Sequence, residues 1–348
     1  MPSSPHCSFH PNLFVLTSAH QQNIRVQIVA VSIGIILLVA KFVAYFITHS
    51  NAILTDALES IINVVAGAVA VYSLILAALP KDRNHPYGHG KVEFLSAGFE
   101  GTLIALAGLI IAAKSVYNFF HPIELHKLDV GMFLAGTAGA INYGVGWLLE
   151  RNGRRSNSLT LIAGGKHLQS DAYSSVGLIA GLLIVYFTNY IWLDNVVAIL
   201  FGGIIAFTGL RIVRQSVAGI MDEADYDLSE NIIELIDKQR SKNTNWIDLH
   251  NWRIIKYGSG LHIDCHLTIP WFLNVKDGHD EAEKVARLVS QNVDTPVEFF
   301  IHLDPCTPIE SCRLCVKRDC LLRQKPFEKR IAWHLDNVLE NKQHRIIP

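Results

Sequence analysis

Two short stretches of this 348-residue chain set metal-ligating side chains at helical spacing in apolar surroundings. The first, ILTDALESIINVVAG, carries Asp56, Glu59 and Asn63 along one helix face. The second, KHLQSDAYSS, carries His167 and Asp171, one turn apart and on a shared face. If the two segments touch, Glu59, Asn63, His167 and Asp171 supply four donors, the number a tetrahedral divalent ion takes. Two carboxylates offset the ion's charge, and a neutral imidazole ligates. Ionisable groups at membrane depth are costly and are kept mainly for function. The competing reading has each group capping or snorkelling at a helix end. Two helices that each offer ligands one turn apart favour the site. Glu93 is expected at the edge of its span, and Glu100, deeper in, suits a helix–helix hydrogen bond.

A second set of donors lies in the last third of the chain. LSENIIELIDKQR reads as a helix, WIDLHNWRIIKYG and GLHIDCHLTIP as two strands joined by a Gly-containing turn, EAEKVARLVSQNV as a second helix and VEFFIHLDP as a third strand. Strand alternation puts Ile263, Cys265, Leu267 and Ile269 on the core face, with Phe299, Ile301 and Leu303. His262, Asp264, His266, His302 and Asp304 then share the opposite face. His250 lies on the first strand and His279 opens the second helix. A merely solvated, histidine-rich face is the bland alternative.

Six cysteines occur, four of them at Cys306, Cys312, Cys315 and Cys320. The Cys312-x2-Cys315 spacing is a chelating one, and the other two can complete a four-thiolate site. A structural zinc knuckle is the first reading, with unligated thiols and an iron–sulfur cluster as alternatives. PFEKRIAWHLDNVLENKQ is expected to form an amphipathic helix packed on the domain.

These donors need elements to hold them. The chain is 50% hydrophobic and 18% charged, against about 25% charged for soluble domains. The deficit sits between residues 24 and 219, where apolar segments near 24–47, 51–79, 92–119, 129–150, 159–188 and 192–215 are long enough to span a bilayer. The fourth is glycine-rich, which suits close helix packing. The N-terminus lacks a basic stretch followed by an apolar core, so the first span is expected to be retained. Lys81, Arg83 and Lys91, then Arg151, Arg154 and Arg155, then Arg211 and Arg214 mark one side of the membrane; the opposite loops offer little beyond Lys127. The bias puts both termini in the cytosol. The expected organisation is an N-terminal tail 1–22, a six-helix membrane domain 23–219, a cytosolic αββαβ domain 222–305 and a Cys-rich tail with a helix, 306–348. The net charge of -1 gives no sign of a nucleic-acid partner.

DRNHPYGHGKVE after the second span, HLQSD in the fifth and IHLDPC at the end of the third strand, in this order, resemble the cation diffusion facilitator family over roughly residues 20–306. The resemblance implies an α-helical membrane protein, a homodimeric exporter and not an enzyme, exchanging Zn²⁺ or a similar divalent cation for protons. It implies no organic cofactor. It places the transport site on Glu59, Asn63, His167 and Asp171, with Asp56 in support, and a loop site on Asp82, His85 and His89. For the loop, the alternative is a Pro/Gly turn whose histidines only dock helix ends. It matches His250, His266, His279, His302 and Asp304 to a cytosolic binuclear site, while His262 has no match. The second span departs from the family's HxxxD or DxxxD: Glu59 and Asn63 stand there, leaving a site charge of about -2 with neutral His167. Mixed oxygen and imidazole ligands suit Zn²⁺, and also Fe²⁺, Mn²⁺ or Co²⁺; Cd²⁺ is a further candidate for the exchanged ion. Cytosolic binding is expected to bias the helices toward a transport-ready state. A membrane-bound metal sensor without flux and a thiol-based redox enzyme are the rival readings; ligands at bilayer depth argue against the first, and the scarcity of haem or quinone ligands in the spans against the second. Short loops favour a bacterial cytoplasmic membrane.

Overall fold

The computed structural model describes residues 18–48, 51–120, 129–188, 192–258, 260–293 and 295–346. The side chains of Asp56 and Glu59 fall outside the described set. The chain divides into two units, Met1–Ile212 and Val213–Pro348.

The first unit begins with α1 (Ser18–Thr48), α2 (Asn51–Ala77), α3 (Val92–Phe120), α4 (Asp129–Ser156) and α5 (Leu159–Thr188), and α6 (Trp192–Ile220) starts within it. These follow the apolar segments of the sequence within a few residues. Among the described residues, four helices are long and apolar enough to cross a membrane: α1, α2, α3 and α6. Unlike a soluble bundle, the unit turns large apolar side chains outward and buries polar groups beside its apolar clusters. Ile36, Phe46, Ile110, Phe120 and Phe207 stand exposed, while Glu100, Ser73, Ser96 and Gln169 are buried. In water that arrangement would be unstable; in lipid it is required, because polar groups must be satisfied between helices.

Small residues set how close the helices come. A methyl group added at Gly165 would stand 2.6 Å from the Gly146 carbonyl and 2.7 Å from the Glu150 nitrogen. Helices α4 and α5 therefore touch backbone to backbone, as the glycine-rich fourth segment led one to expect. The contact is locked by Glu150, which takes hydrogen bonds from Gln169 at 2.7 Å and Arg154 at 2.7 Å and pairs with Lys166 at 3.0 Å. Glu93 sits in the first turn of α3, at the edge of the span as expected. It is buried, its carboxylate accepts from Ser158 Oγ, and its carbonyl accepts from Thr160 Oγ1 at 3.1 Å, tying the start of α3 to the start of α5.

The second unit holds α7 (Tyr226–Arg240), β1 (Asp248–Tyr257), β2 (Gly260–Ile269), α8 (Val275–Asn292) and β3 (Val297–Pro305), the αββαβ order read from the sequence. Strand β2 is central, antiparallel to β1 and parallel to β3. Ile263, Cys265, Leu267 and Ile269 face the core with Ile232, Ile236, Val285 and Val289 of the two helices. Burial pushes the Cys265 thiol well above its ordinary range, so this cysteine is a small core hydrophobe.

The tail departs from expectation. Residues 326–343 do not form an amphipathic helix; among the described residues of the tail the helical turns are α9 (Glu310–Leu314) and α10 (Leu335–Val338). Tertiary contacts override the helical pattern. Trp333 and Val338 fill the core, Arg313 forks onto Glu328 at 2.6 and 2.8 Å, and the Asn251 amide donates to the Glu340 carbonyl at 2.9 Å. Arg240 clamps the crossing: it donates to the carbonyls of Trp246, Ile247 and Ile331, and its guanidinium lies 4.0 Å from the Trp333 ring centre.

Candidate metal sites

Helix α2 meets α5 at Asn63. Its amide nitrogen donates to Asp171 Oδ2 at 2.6 Å, and its amide oxygen lies 2.8 Å from His167 Nε2. Three of the four sequence-derived ligands are thus within one hydrogen-bonded group. His167 is 9% exposed, and Asp171 is half-buried one turn further on. The arrangement brings together one carboxylate, one imidazole and one amide, donor types that a divalent ion accepts. Glu59 lies one turn before Asn63 on the same helix, with its side chain outside the described residues.

Glu100 is not part of this group. It is 2% exposed on α3, faces Gly164 of α5, and its Oε2 makes no hydrogen bond.

The loop after α2 brings Asp82, His85 and His89 together. His85 Nδ1 lies 3.1 Å from Asp82 Oδ1 and His89 Nε2 lies 3.5 Å from Asp82 Oδ2. Gly88, at φ +92°, makes the turn that returns His89 toward Asp82. The His85 backbone N–H is the main group that holds the Asp82 carboxyl below its usual range; the His85 ring and the Asn84 N–H add to it. The side chain of His89 is nearly enclosed, and its Nδ1 makes no hydrogen bond.

In the second unit the sheet register aligns the donors in rows. His250, His266 and His302 are direct neighbours across β1, β2 and β3, and Asp248, Thr268 and Asp304 form the next row. A bulge makes this possible. The register of β1 slips between His250 and Arg253, with Asn251 at φ +53°. Asn tolerates that conformation better than most residues. The extra residue lets Leu249 and Trp252 both enter the core while His250 stays on the polar face. Asp304 Oδ2 lies 3.2 Å from His250 Nε2 and 3.0 Å from His266 Nδ1. His302 Nε2 is 3.5 Å from Asp304 Oδ1. His279 is not brought in: it is 71% exposed on α8, with Glu283 3.8 Å away. His262 pairs instead with Asp264 at 3.0 Å.

Among the described residues, the groups Asp82–His85–His89 and His250–His266–Asp304 have ligand atoms within 4.8 Å of one another. Two residues missed in the sequence join the second group. Asp248 lies 3.4 Å from His250 Nδ1, and its carboxylate takes the His344 ring at 2.5 Å and the His344 N–H at 3.0 Å. Burial pushes this carboxyl up, but the hydrogen bonds from His250 and His344 outweigh it and hold the pKa at about 2. Strand alternation does put Asp248 on the face of His250. Nothing local in the sequence points to His344.

The four tail cysteines line one cavity beside Ile247 and Phe272. They are free thiols.

Comparison with known proteins fits this geometry. Residues 27–221 match the model of the cation efflux transmembrane domain, and residues 228–306 that of the cation efflux protein cytoplasmic domain. An uncharacterised transporter of Synechocystis sp. is 33% identical over 266 residues, covering 76% of this chain and 84% of that protein. A manganese efflux system protein of Bacillus subtilis is 22% identical, covering 80% of this chain and 94% of its own. A cadmium, cobalt and zinc/H⁺-K⁺ antiporter of Bacillus velezensis is 23% identical, covering 71% and 78%.

Proposed function

The chain belongs to the cation diffusion facilitator family, and on that premise we propose that it exports a divalent metal ion, Zn²⁺ first, from the cytosol in exchange for protons at Asn63, His167 and Asp171 together with Glu59. The family is one of membrane metal transporters, so divalent cation efflux is its general activity. The single observation that carries the finer reading is the Asn63 amide, which joins His167 and Asp171 across α2 and α5 at 2.8 and 2.6 Å. Three ion-binding groups converge there in a part of the chain whose outward faces are apolar.

Their chemistry gives the exchange. A carboxylate and an imidazole bind metal only when deprotonated, so metal loading releases protons and protonation expels metal. Imidazole is the side chain whose proton state changes near neutral pH, which makes His167 the natural carrier. Asn63 sets geometry and spares the site one negative charge, which lowers the charge that must be shed when the ion leaves. The donor set of oxygens with one imidazole nitrogen suits Zn²⁺ and the first-row ions beside it, and suits Cd²⁺ less well than thiolates would. The relatives named for manganese and for cadmium, cobalt and zinc bracket the same range.

The remaining elements follow from this reading. All six long helices span the membrane, with both termini in a bacterial cytosol, as the Lys and Arg bias of the loops indicates. The Asp82–His85–His89 loop collects the ion at the cytosolic mouth. The His250–His266–His302 row with Asp304 binds metal in the cytosolic domain of a homodimer. Vesicles containing the purified protein, given an imposed pH gradient and a choice of Zn²⁺, Fe²⁺, Mn²⁺, Co²⁺ and Cd²⁺, test the proposal. Gradient-driven uptake of Zn²⁺ supports it. Metal binding without uptake of any ion would leave a sensor, and uptake of Mn²⁺ but not Zn²⁺ would overturn the choice of metal.

A further inference from the structure

The four cysteines of the tail have no part in the export cycle, yet they are gathered from fifteen residues of chain around a single point. Cys306 leaves β3 with its backbone N–H bonded to the Ile269 carbonyl at 2.8 Å. Cys312 lies within α9, and Cys315 closes it with its N–H on the Ser311 carbonyl at 2.9 Å. Cys320 returns in the turn that follows. All four line a cavity of about 20 Å³, room for one water-sized sphere.

Burial pushes the Cys306 and Cys315 thiols up, whereas at Cys312 the backbone N–H groups outweigh burial and bring the thiol down. Cys312 receives the backbone N–H groups of Gln324, Ile309 and Lys325, Cys315 that of Lys317, and Cys306 that of Trp271. Backbone N–H groups aimed at sulfur stabilise the negative charge of a metal-bound thiolate. Two cations also line the cavity, Lys317 and Arg323. Arg323 donates to the carbonyls of Cys312 at 2.9 Å, Cys315 at 2.8 Å and Lys317 at 2.8 Å, so it fixes the loop and brings a positive charge to it. Four thiolates around a divalent ion carry a net charge of -2, which these two side chains offset.

We propose that Cys306, Cys312, Cys315 and Cys320 hold one Zn²⁺ ion as a four-thiolate structural site that fastens the tail to the end of the sheet. No three of the sulfurs yet lie within 4.8 Å of one another, whereas Zn–S bonds of about 2.3 Å need sulfur separations of about 3.8 Å. Binding therefore draws the loop inward, and each thiol that ligates gives up its proton to the solvent. The site lies next to the cytosolic donor rows in sequence and space. Ile247 borders the cavity, and the next residue, Asp248, receives His344 from the far end of the same tail. The metal thus anchors one end of a strap whose other end rests beside His250.

Purified full-length protein in detergent, prepared reduced and washed with a mild chelator, tests this directly. The other proposed sites have no sulfur ligand, so a thiolate-to-metal charge-transfer band on Cd²⁺ replacement reports this site alone. One zinc per chain should survive the wash, the band should saturate at one equivalent of Cd²⁺, and Cys312→Ser with Cys315→Ser should remove both. In wild-type protein, which avoids any folding defect of the variant, four more thiols should alkylate after the metal is stripped than before. Absence of the band together with equal alkylation in the presence and absence of Zn²⁺ overturns the proposal. Iron with acid-labile sulfide in its place overturns it as well, in favour of a cluster.

Discussion

Replacing Asp248 with Asn should loosen the C-terminal tail by an amount that can be worked out from the carboxylate's surroundings. Asp248 is 3% exposed and accepts from both the ring and the backbone N–H of His344, at 2.5 and 3.0 Å. With the tail docked its pKa is about 2, against an ordinary 3.8. That difference is worth about 2 kcal/mol, which is the upper bound on the share of the tail, because His250 lowers the same carboxyl and stays in place when His344 leaves. Because the docked pKa is the lower one, the stabilisation is complete above about pH 4 and is lost as the pH falls toward 2. At neutral pH, 2 kcal/mol corresponds to a rise of about 30-fold in the population of released tail. Amide hydrogen exchange of residues 340–346 in the full-length, metal-free protein reads this population. The ratio of variant to wild type should lie well above 1 and reach at most about 30 at pH 7, and should shrink steadily below pH 4. Unchanged exchange at pH 7, or a ratio that does not depend on pH, would refute the reasoning.

Other outcomes follow from the same geometry. Asp304→Asn should weaken metal binding by the cytosolic domain at least 10-fold, since one oxygen faces both His250 and His266, whereas His279→Ala should change it less than 2-fold; calorimetric titration of Zn²⁺ into protein carrying Asp171→Ala and Asp82→Ala, with the cysteine site loaded beforehand, isolates that site from the other proposed ones. Asn63→Ala should cut transport about 10-fold or more while the protein still folds, because it removes the link between His167 and Asp171 and leaves the packing of α4 on α5 untouched; initial rates in vesicles and gel filtration check the two halves of that statement. Gly165→Ala should lower the yield of folded protein, since its new methyl would stand 2.6 Å from a backbone oxygen, and thermal unfolding in detergent should show a fall of several degrees.

Much of the architecture was legible because its physics is periodic. Six apolar segments announce six helices, and strand alternation separates the Ile263–Cys265–Leu267 core from the His262–Asp264–His266 face before any coordinates. The pairing of Asn63 with His167 and Asp171 follows from helical spacing once α2 and α5 are taken as neighbours. The misses have different causes. The bulge at Asn251 breaks the alternation that would otherwise carry through β1. The helix expected over 326–343 gives way because Trp333 gains more by entering the core beside Arg240 than an isolated amphipathic turn gains from its own hydrogen bonds. His344 reaches Asp248 from 96 residues away, a contact that no local pattern encodes.

The most direct measurement of the central claim is simultaneous recording of Zn²⁺ entry and proton exit in vesicles loaded with a pH indicator, for wild type and Asp171→Ala. The account predicts Zn²⁺ uptake with proton release in the opposite direction, both driven by the imposed gradient and both lost in the variant. Zn²⁺ flux that persists in Asp171→Ala, or that proceeds with no movement of protons, would contradict it.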